Sequence, residues 1–254
     1  MSIKAAENHY NLRVQIGHPD RAPNWTHGSA LLWDKVGNGC LVRPQIVLTA
    51  LSVWKSAENN RYGYEPLVKS DDELNQNDDA DEGDHSDAAS NDESIYRCKL
   101  GQADEERDLA GLILDKPFRD AKGNELTNFP EIAETPPSPG QVLCVLSQQY
   151  FSDSKIYGET QNYICFIYGT VCLLRGKKNV LYGLSGIQID EQYVGASVFD
   201  ENGKIYGVVT KFLYAPKLPE HGGSKECFVV FTPIYKFARK ILRLPAREPK
   251  KSSK

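Results

Sequence analysis

No stretch of this chain approaches the roughly 18 consecutive apolar residues that a membrane-crossing helix needs, so no helical span is expected. The opening Met-Ser-Ile-Lys-Ala-Ala-Glu-Asn-His-Tyr also lacks an apolar segment of signal-peptide length, and the expected location is the cytoplasm. Helical periodicity is equally scarce. Spacing of about one turn is confined to Ile234, Phe237, Ala238 and Ile241, which predicts one short helix over 233–243. Metal chemistry has little to draw on. No two of Cys40, Cys98, Cys144, Cys165, Cys172 and Cys227 share a Cys-x-x-Cys spacing, and His9, His18, His27, His85 and His221 lie scattered without ligand spacing. The histidines are read as surface or turn residues, and no metal or other cofactor is expected. The cysteines mostly sit inside apolar runs, where a reduced thiol packs as a small hydrophobe, so buried free thiols are expected.

What the chain does have is short apolar runs separated by Gly, Pro, Asn and Asp. Examples are Leu12 to Ile16, Gly39 to Val42, Ile46 to Ala50, Ile95 to Leu100, Leu109 to Leu114, Gln141 to Leu146, Tyr163 to Leu174 and Val180 to Ile189. That pattern predicts an all-β sandwich or barrel, and 254 residues suffice for a sizeable core. One segment stands apart: Ser70 to Ser94 holds eleven acidic residues and no Lys or Arg, and is read as a disordered loop. Without these eleven charges the rest of the chain carries +7, against −4 for the whole. Much of the positive charge lies at the end, in Arg239, Lys240, Arg243, Arg247, Lys250, Lys251 and Lys254, and 244–254 reads as a basic tail. Nucleic acid is not an expected partner, because the chain is acidic overall and has no interleaved basic and aromatic module.

Three blocks carry chemistry. Gly195-Ala196-Ser197-Val198-Phe199-Asp200-Glu201-Asn202-Gly203-Lys204-Ile205-Tyr206-Gly207-Val208-Val209 reads as a hairpin closed by a type I′ Asn-Gly turn. It resembles the G-x-S-G-G-P-V-F-D-x-x-G-x-x-x-G-V-V of trypsin-like serine peptidases. Gly37-Asn38-Gly39-Cys40-Leu41-Val42-Arg43-Pro44-Gln45-Ile46-Val47-Leu48-Thr49-Ala50-Leu51-Ser52-Val53 is similar to that family's G-x-G-F-L-V-x-P-x-x-V-L-T-A-A-H-V. Asp108-Leu109-Ala110-Gly111-Leu112-Ile113-Leu114-Asp115-Lys116-Pro117 is similar to its D-I-A-L-L-x-L-x-x-P. All three fall in family order, and the resemblance covers roughly Leu12 to Leu242 with the acidic segment unmatched.

The resemblance implies a double β-barrel, with one barrel over about 10–130, a second over about 135–232, and a closing strand and helix. It also implies a degenerate triad. The nucleophile position is Val194, the general-base position is Ser52, and Asp108 alone is retained. A valine has no proton to lose and a serine does not accept one near pH 7, so Asp108 would have no imidazole to orient. Ser52 is expected to hydrogen-bond Asp108. The oxyanion hole of the family uses the amides of positions that fall here on Val194 and Gln192, and a glutamine in place of glycine restricts that geometry. Tyr193 replaces the aspartate that anchors the new amino terminus of secreted trypsins. Gln188 falls near the floor of the specificity pocket.

Two hydroxyls offer an alternative. Gly183-Leu184-Ser185-Gly186 is itself a G-x-S-G, and an active hydrolase rebuilt on Ser185 or Ser52 would be the competing class. Ser185 is read instead as a turn serine. Ser197 fills the slot of the family's proline. The expected function is therefore a non-catalytic pseudoprotease that binds another protein or peptide as an adaptor or regulatory accessory subunit. The contact surface would be the cleft around Gln188, Gln192, Tyr193 and Val194, or the acidic loop. Signal-less degenerate domains of this kind resemble accessory components of bacterial signalling and CRISPR-type defence loci.

Overall fold

Among the residues that the structure describes, the β-rich pattern resolves into twelve strands and two helices in a computed structural model. It describes residues 13–19, 33–60, 65–70, 95–119, 123–152, 160–175, 180–186, 193–216, 225–235 and 237–241. The acidic segment beyond Ser70 and the basic tail at 244–254 lie outside the described residues.

Strands β1 (Arg13–Pro19), β2 (Trp33–Arg43), β3 (Ile46–Thr49), β4 (Leu67–Ser70), β5 (Ile95–Asp104) and β6 (Leu109–Leu114) close into a first barrel in the order β1-β2-β3-β6-β5-β4. The second comprises β7 (Val142–Ser152), β8 (Thr160–Arg175), β9 (Val180–Ser185), β10 (Ser197–Phe199), β11 (Ile205–Pro216) and β12 (Lys225–Pro233). Its order is β10-β11-β12-β9-β8-β7. Every neighbouring pair is antiparallel. Closure gives each strand two neighbours over at least part of its length, which satisfies backbone groups that an open sheet would leave bare.

Two apolar cores follow. Val14, Ile16, Leu41, Val47, Leu109 and Leu112 belong to the first, and Leu143, Val145, Val171, Leu184, Val229 and Phe231 to the second. Strand β11 serves both: Val208 and Val209 alternate to opposite faces, and the bulge where β11 pairs with β10 returns Ile205 to the side of Val208, so Ile205 and Val208 join the first core and Val209 the second. The chain also returns to the first barrel at its end. Ile234 and Ala238 are buried in the first core, Thr232 Oγ1 donates to the Arg107 carbonyl at 2.9 Å, and the Arg107 guanidinium lies 4.1 Å above the Phe237 ring. Two barrels are thus clasped by one strand and one terminus.

The structure corrects the sequence reading in three places. A helix absent from that reading, α1 (Leu51–Glu58), follows β3 directly and buries Leu51, Val53, Trp54 and Ala57. The carboxyl-terminal helix, α2 (Ala238–Ile241), falls within the expected 233–243. The hairpin between β10 and β11 is not type I′: Gly203 takes a positive φ of 82°, while Asn202 does not. Its loop is Glu201-Asn202-Gly203. The Asp200 N–H donates to the Lys204 carbonyl at 3.1 Å, and Asp200 Oδ1 accepts from the amides of Asn202 and Lys204 at 2.9 Å each. That carboxylate organises the turn in place of a second left-handed residue. His18 is not a surface or turn residue either; it lies in β1 and is 5% exposed.

Candidate functional site

Strand β2 outruns β3, and the gap it leaves builds the site. Pairing between them reaches only from Cys40 to Arg43 on β2, because the chain turns after Thr49 into α1. At Asn38 the open edge of β2 is met from two sides. Thr49 Oγ1 donates to the Asn38 carbonyl at 2.6 Å, and the Asn38 N–H donates to the Val194 carbonyl at 3.0 Å. The segment Val194-Gly195 therefore docks where a strand neighbour would have been. Its other side is held by β11, through Gly195 N–H to Val209 carbonyl at 2.8 Å and Val209 N–H to Ala196 carbonyl at 2.9 Å.

Gly195 has to be glycine on two counts. Its φ is +91°, and a β-carbon there would collide with the Asn38 carbonyl and lie 2.6 Å from Thr49 Oγ1. Val194, half-buried, packs against the first core. The nucleophile position of the motif is thus held between the barrels by backbone hydrogen bonds and presents two methyl groups.

Across from it, α1 begins without a local cap. Its N-cap residue is Ala50, which has no side-chain acceptor. Asp108 supplies one from the turn between β5 and β6. Its Oδ1 accepts from the Ser52 N–H at 2.6 Å, its Oδ2 accepts from Ser52 Oγ at 2.9 Å, and its carbonyl accepts from the Leu51 N–H at 3.2 Å. Asp108 holds this pose at a φ of 55°, a left-handed conformation that Asp tolerates better than most residues. The aspartate is not idle: both of its carboxylate oxygens are engaged by Ser52. Its work is that of a helix cap.

Asp108→Ala should consequently lower stability by about 2–3 kcal/mol, through the lost cap and the charge-assisted bond. Asp108→Asn, which keeps an acceptor and tolerates the backbone, should lose less. Urea unfolding of both, with Ser52→Ala completing a double-mutant cycle, measures the coupling; a neutral Asp108→Ala would refute the capping role.

The remaining candidates separate. Ser185 is the last residue of β9, and its Oγ donates to the Thr170 carbonyl at 3.3 Å. Tyr193 is 4% exposed and belongs to the second core, so its ring packs inside instead of lining a contact surface. Gln188 and Gln192 lie outside the described residues. Ser197 is buried in β10, and the thiol of Cys40 donates to the Leu41 carbonyl at 3.6 Å. Cys40, Cys98, Cys144, Cys172 and Cys227 are free thiols. Among the described residues no three His, Cys, Asp or Glu side chains are grouped to hold a metal ion, and no helix is long and apolar enough to cross a membrane. Three residues to which the sequence reading gave no role, Asn38, Thr49 and Gly195, hold the site together. All three stand inside the quoted motifs, but only their neighbours across the seam reveal what they do.

Two closed six-stranded barrels with the motif residues gathered at their junction define the chymotrypsin-like fold of trypsin-like protease domains. No family model and no curated protein matches the chain. Among solved structures it is similar to the Rv3671c protease in its inactive form, with a TM-score of 0.51 and 13% identity over 96% of this chain and 93% of that one. It also aligns with the MamO protease domain from Magnetospirillum magneticum in its apo form, with a TM-score of 0.48 and 15% identity over 95% of this chain and 100% of that one. At such identities the likeness is one of fold.

Proposed function

We propose that this chain is a non-catalytic trypsin-like domain that works by holding another protein or peptide, as an adaptor or regulatory subunit. The observation that carries this is the state of Ser52 and Asp108. The carboxylate that orients an imidazole in a working triad here accepts both hydrogen bonds that Ser52 offers. Val194, in the nucleophile position of the motif, offers no hydroxyl to activate. A protease cleft already suits an extended peptide, since strand addition needs only backbone hydrogen bonds and side-chain pockets. With no bond broken, a substrate becomes a ligand.

The test is direct. Wild-type protein is expected to show no labelling by a fluorophosphonate active-serine probe and no casein turnover. Turnover that disappears in Ser185→Ala or Ser52→Ala would overturn the proposal in favour of a rebuilt hydrolase. Affinity purification with the full chain and with Ser70 to Ser94 deleted then assigns the contact surface. If the acidic segment is the contact, capture should be lost with the deletion and should weaken steeply as salt rises.

A further inference from the structure

Uncharged strands in this protein have, with one exception, neighbours on both sides. No Lys, Arg, Asp or Glu occurs in β3, β6, β9 or β10, and these short strands are flanked by β2 and β6, β3 and β5, β8 and β12, and β7 and β11. Strands that outrun a neighbour carry charge in the uncovered stretch. Asp34 and Lys35 lie on β2 ahead of its pairing with β3. Lys99 and Asp104 lie on β5 beyond its last pair with β4. Lys211 lies on β11 beyond its last pair with β10, and Lys225 and Glu226 lie on β12 ahead of its pairing with β9. Such charges guard exposed edges against strand addition.

The exception is the ribbon made by β7 and β8. It runs from Val142↔Thr170 to Ser152↔Thr160 without a register shift, whereas bulges interrupt five other pairings of the two barrels. β10 reaches β7 only at Cys144 and Val145, and β9 reaches β8 only from Thr170 to Arg175. From Leu146 to Ser152 and from Thr160 to Ile167, the two strands therefore pair only with each other among the described strands. Neither contains a proline, and neither contains a charge before Arg175, in a chain that is 25% charged. Charge, proline and bulge, three common guards of an open edge, are all missing here.

We propose that the edge of β8 from Thr160 to Ile167 pairs antiparallel with the same edge of a second copy, joining two chains about a two-fold axis. An antiparallel edge is its own complement under such an axis, because each amide and carbonyl of one copy meets its counterpart on the other. A segment without charge brings no like-charge repulsion when it meets itself, and it offers nothing to a charged partner. The β8 edge is longer than the β7 edge, eight residues against seven. This dimer does not depend on whether the relic site is catalytic.

Sedimentation equilibrium of the full chain over about a hundred-fold dilution should show a dimer that dissociates with concentration. The double variant Gln161→Lys/Tyr163→Lys, on β8, should be monomeric throughout. Gln148→Lys/Tyr150→Lys, on β7, should dimerise like wild type. Wild type that is monomeric at every concentration, or a dimer insensitive to the β8 pair, or one lost equally with the β7 pair, overturns the proposal. Should the β8 variant lose its thermal transition, hydrogen exchange of wild type decides. Amides in 160–167 must exchange more slowly at high than at low protein concentration, and equal rates would again overturn it.

Discussion

Gly195→Ala is expected to destabilise the fold by about 3–5 kcal/mol, the largest effect of any single methyl in the site. Two costs add at this position. A φ of +91° is strained for any residue with a β-carbon, and the new carbon would sit against the Asn38 carbonyl and 2.6 Å from Thr49 Oγ1. Neither neighbour yields easily, because the Asn38 carbonyl is backbone of β2 and Thr49 Oγ1 is tied to it. To make room, Val194-Gly195 would have to leave the edge of β2, breaking the hydrogen bond from Asn38 that joins the barrels. Gly140→Ala provides the control: its φ is +84°, but nothing lies within 4 Å of the added carbon, so it should show the conformational cost alone, about 1 kcal/mol. Urea unfolding of the two variants gives the difference. Near-equal losses would mean that Val194-Gly195 is not wedged between the barrels as described.

The second large effect is a loss of stability in alkali. Burial pushes the Cys40 thiol up to about 12 from an ordinary 9.0, a rise that the Ser197 hydroxyl only moderates. Burial raises Cys98 to about 12 as well, with the carboxylates of Asp115 and Glu65 adding to it, and Cys144 likewise against a lowering bond from the Ile167 backbone. In each case the folded chain holds the thiol proton more tightly than the unfolded chain does. Their contribution is intact below pH 9, where both states are protonated. It falls as pH rises towards 12, because only the unfolded thiols ionise in that window. Cys40 alone should remove about 1.4 kcal/mol per pH unit there, with Cys98 and Cys144 acting in the same direction. Unfolding free energies at pH 8, 9 and 10 measure it, and Cys40→Ala should flatten the slope. A stability unchanged up to pH 10 would show that these thiols are not shielded.

The alkaline prediction draws on something legible in the chain itself, since the cysteines stand within apolar runs. The strands were legible for the same reason: alternation and turn residues are local, and the hairpin from Ser197 to Val209 declares itself in thirteen residues around Asn202-Gly203. Its turn geometry was not, because Asp200 organises the loop with its own side chain and relieves Asn202 of the left-handed pose. Helix α1 was hidden for a sharper reason. A helix is usually announced by Ser, Thr, Asp or Asn at its start, and this one starts at Ala50 with its cap supplied by Asp108, 56 residues on from Ser52. Burial of His18 and Tyr193 was equally out of reach, being set by what packs over them.

Sequence by itself determined that the chain is built of β-strands, which residues stand at the three motif positions, and that valine and serine occupy two of them. These follow from side-chain chemistry and short-range pattern, which need no neighbours. Only the tertiary structure decided that Asp108 works as the cap of α1, that Val194-Gly195 is clamped between β2 and β11, and that β7 and β8 run on together with no third strand beside them among the described residues. Each of those rests on backbone groups brought together from distant parts of the chain, and hydrogen bonds of that kind leave no mark in the order of residues.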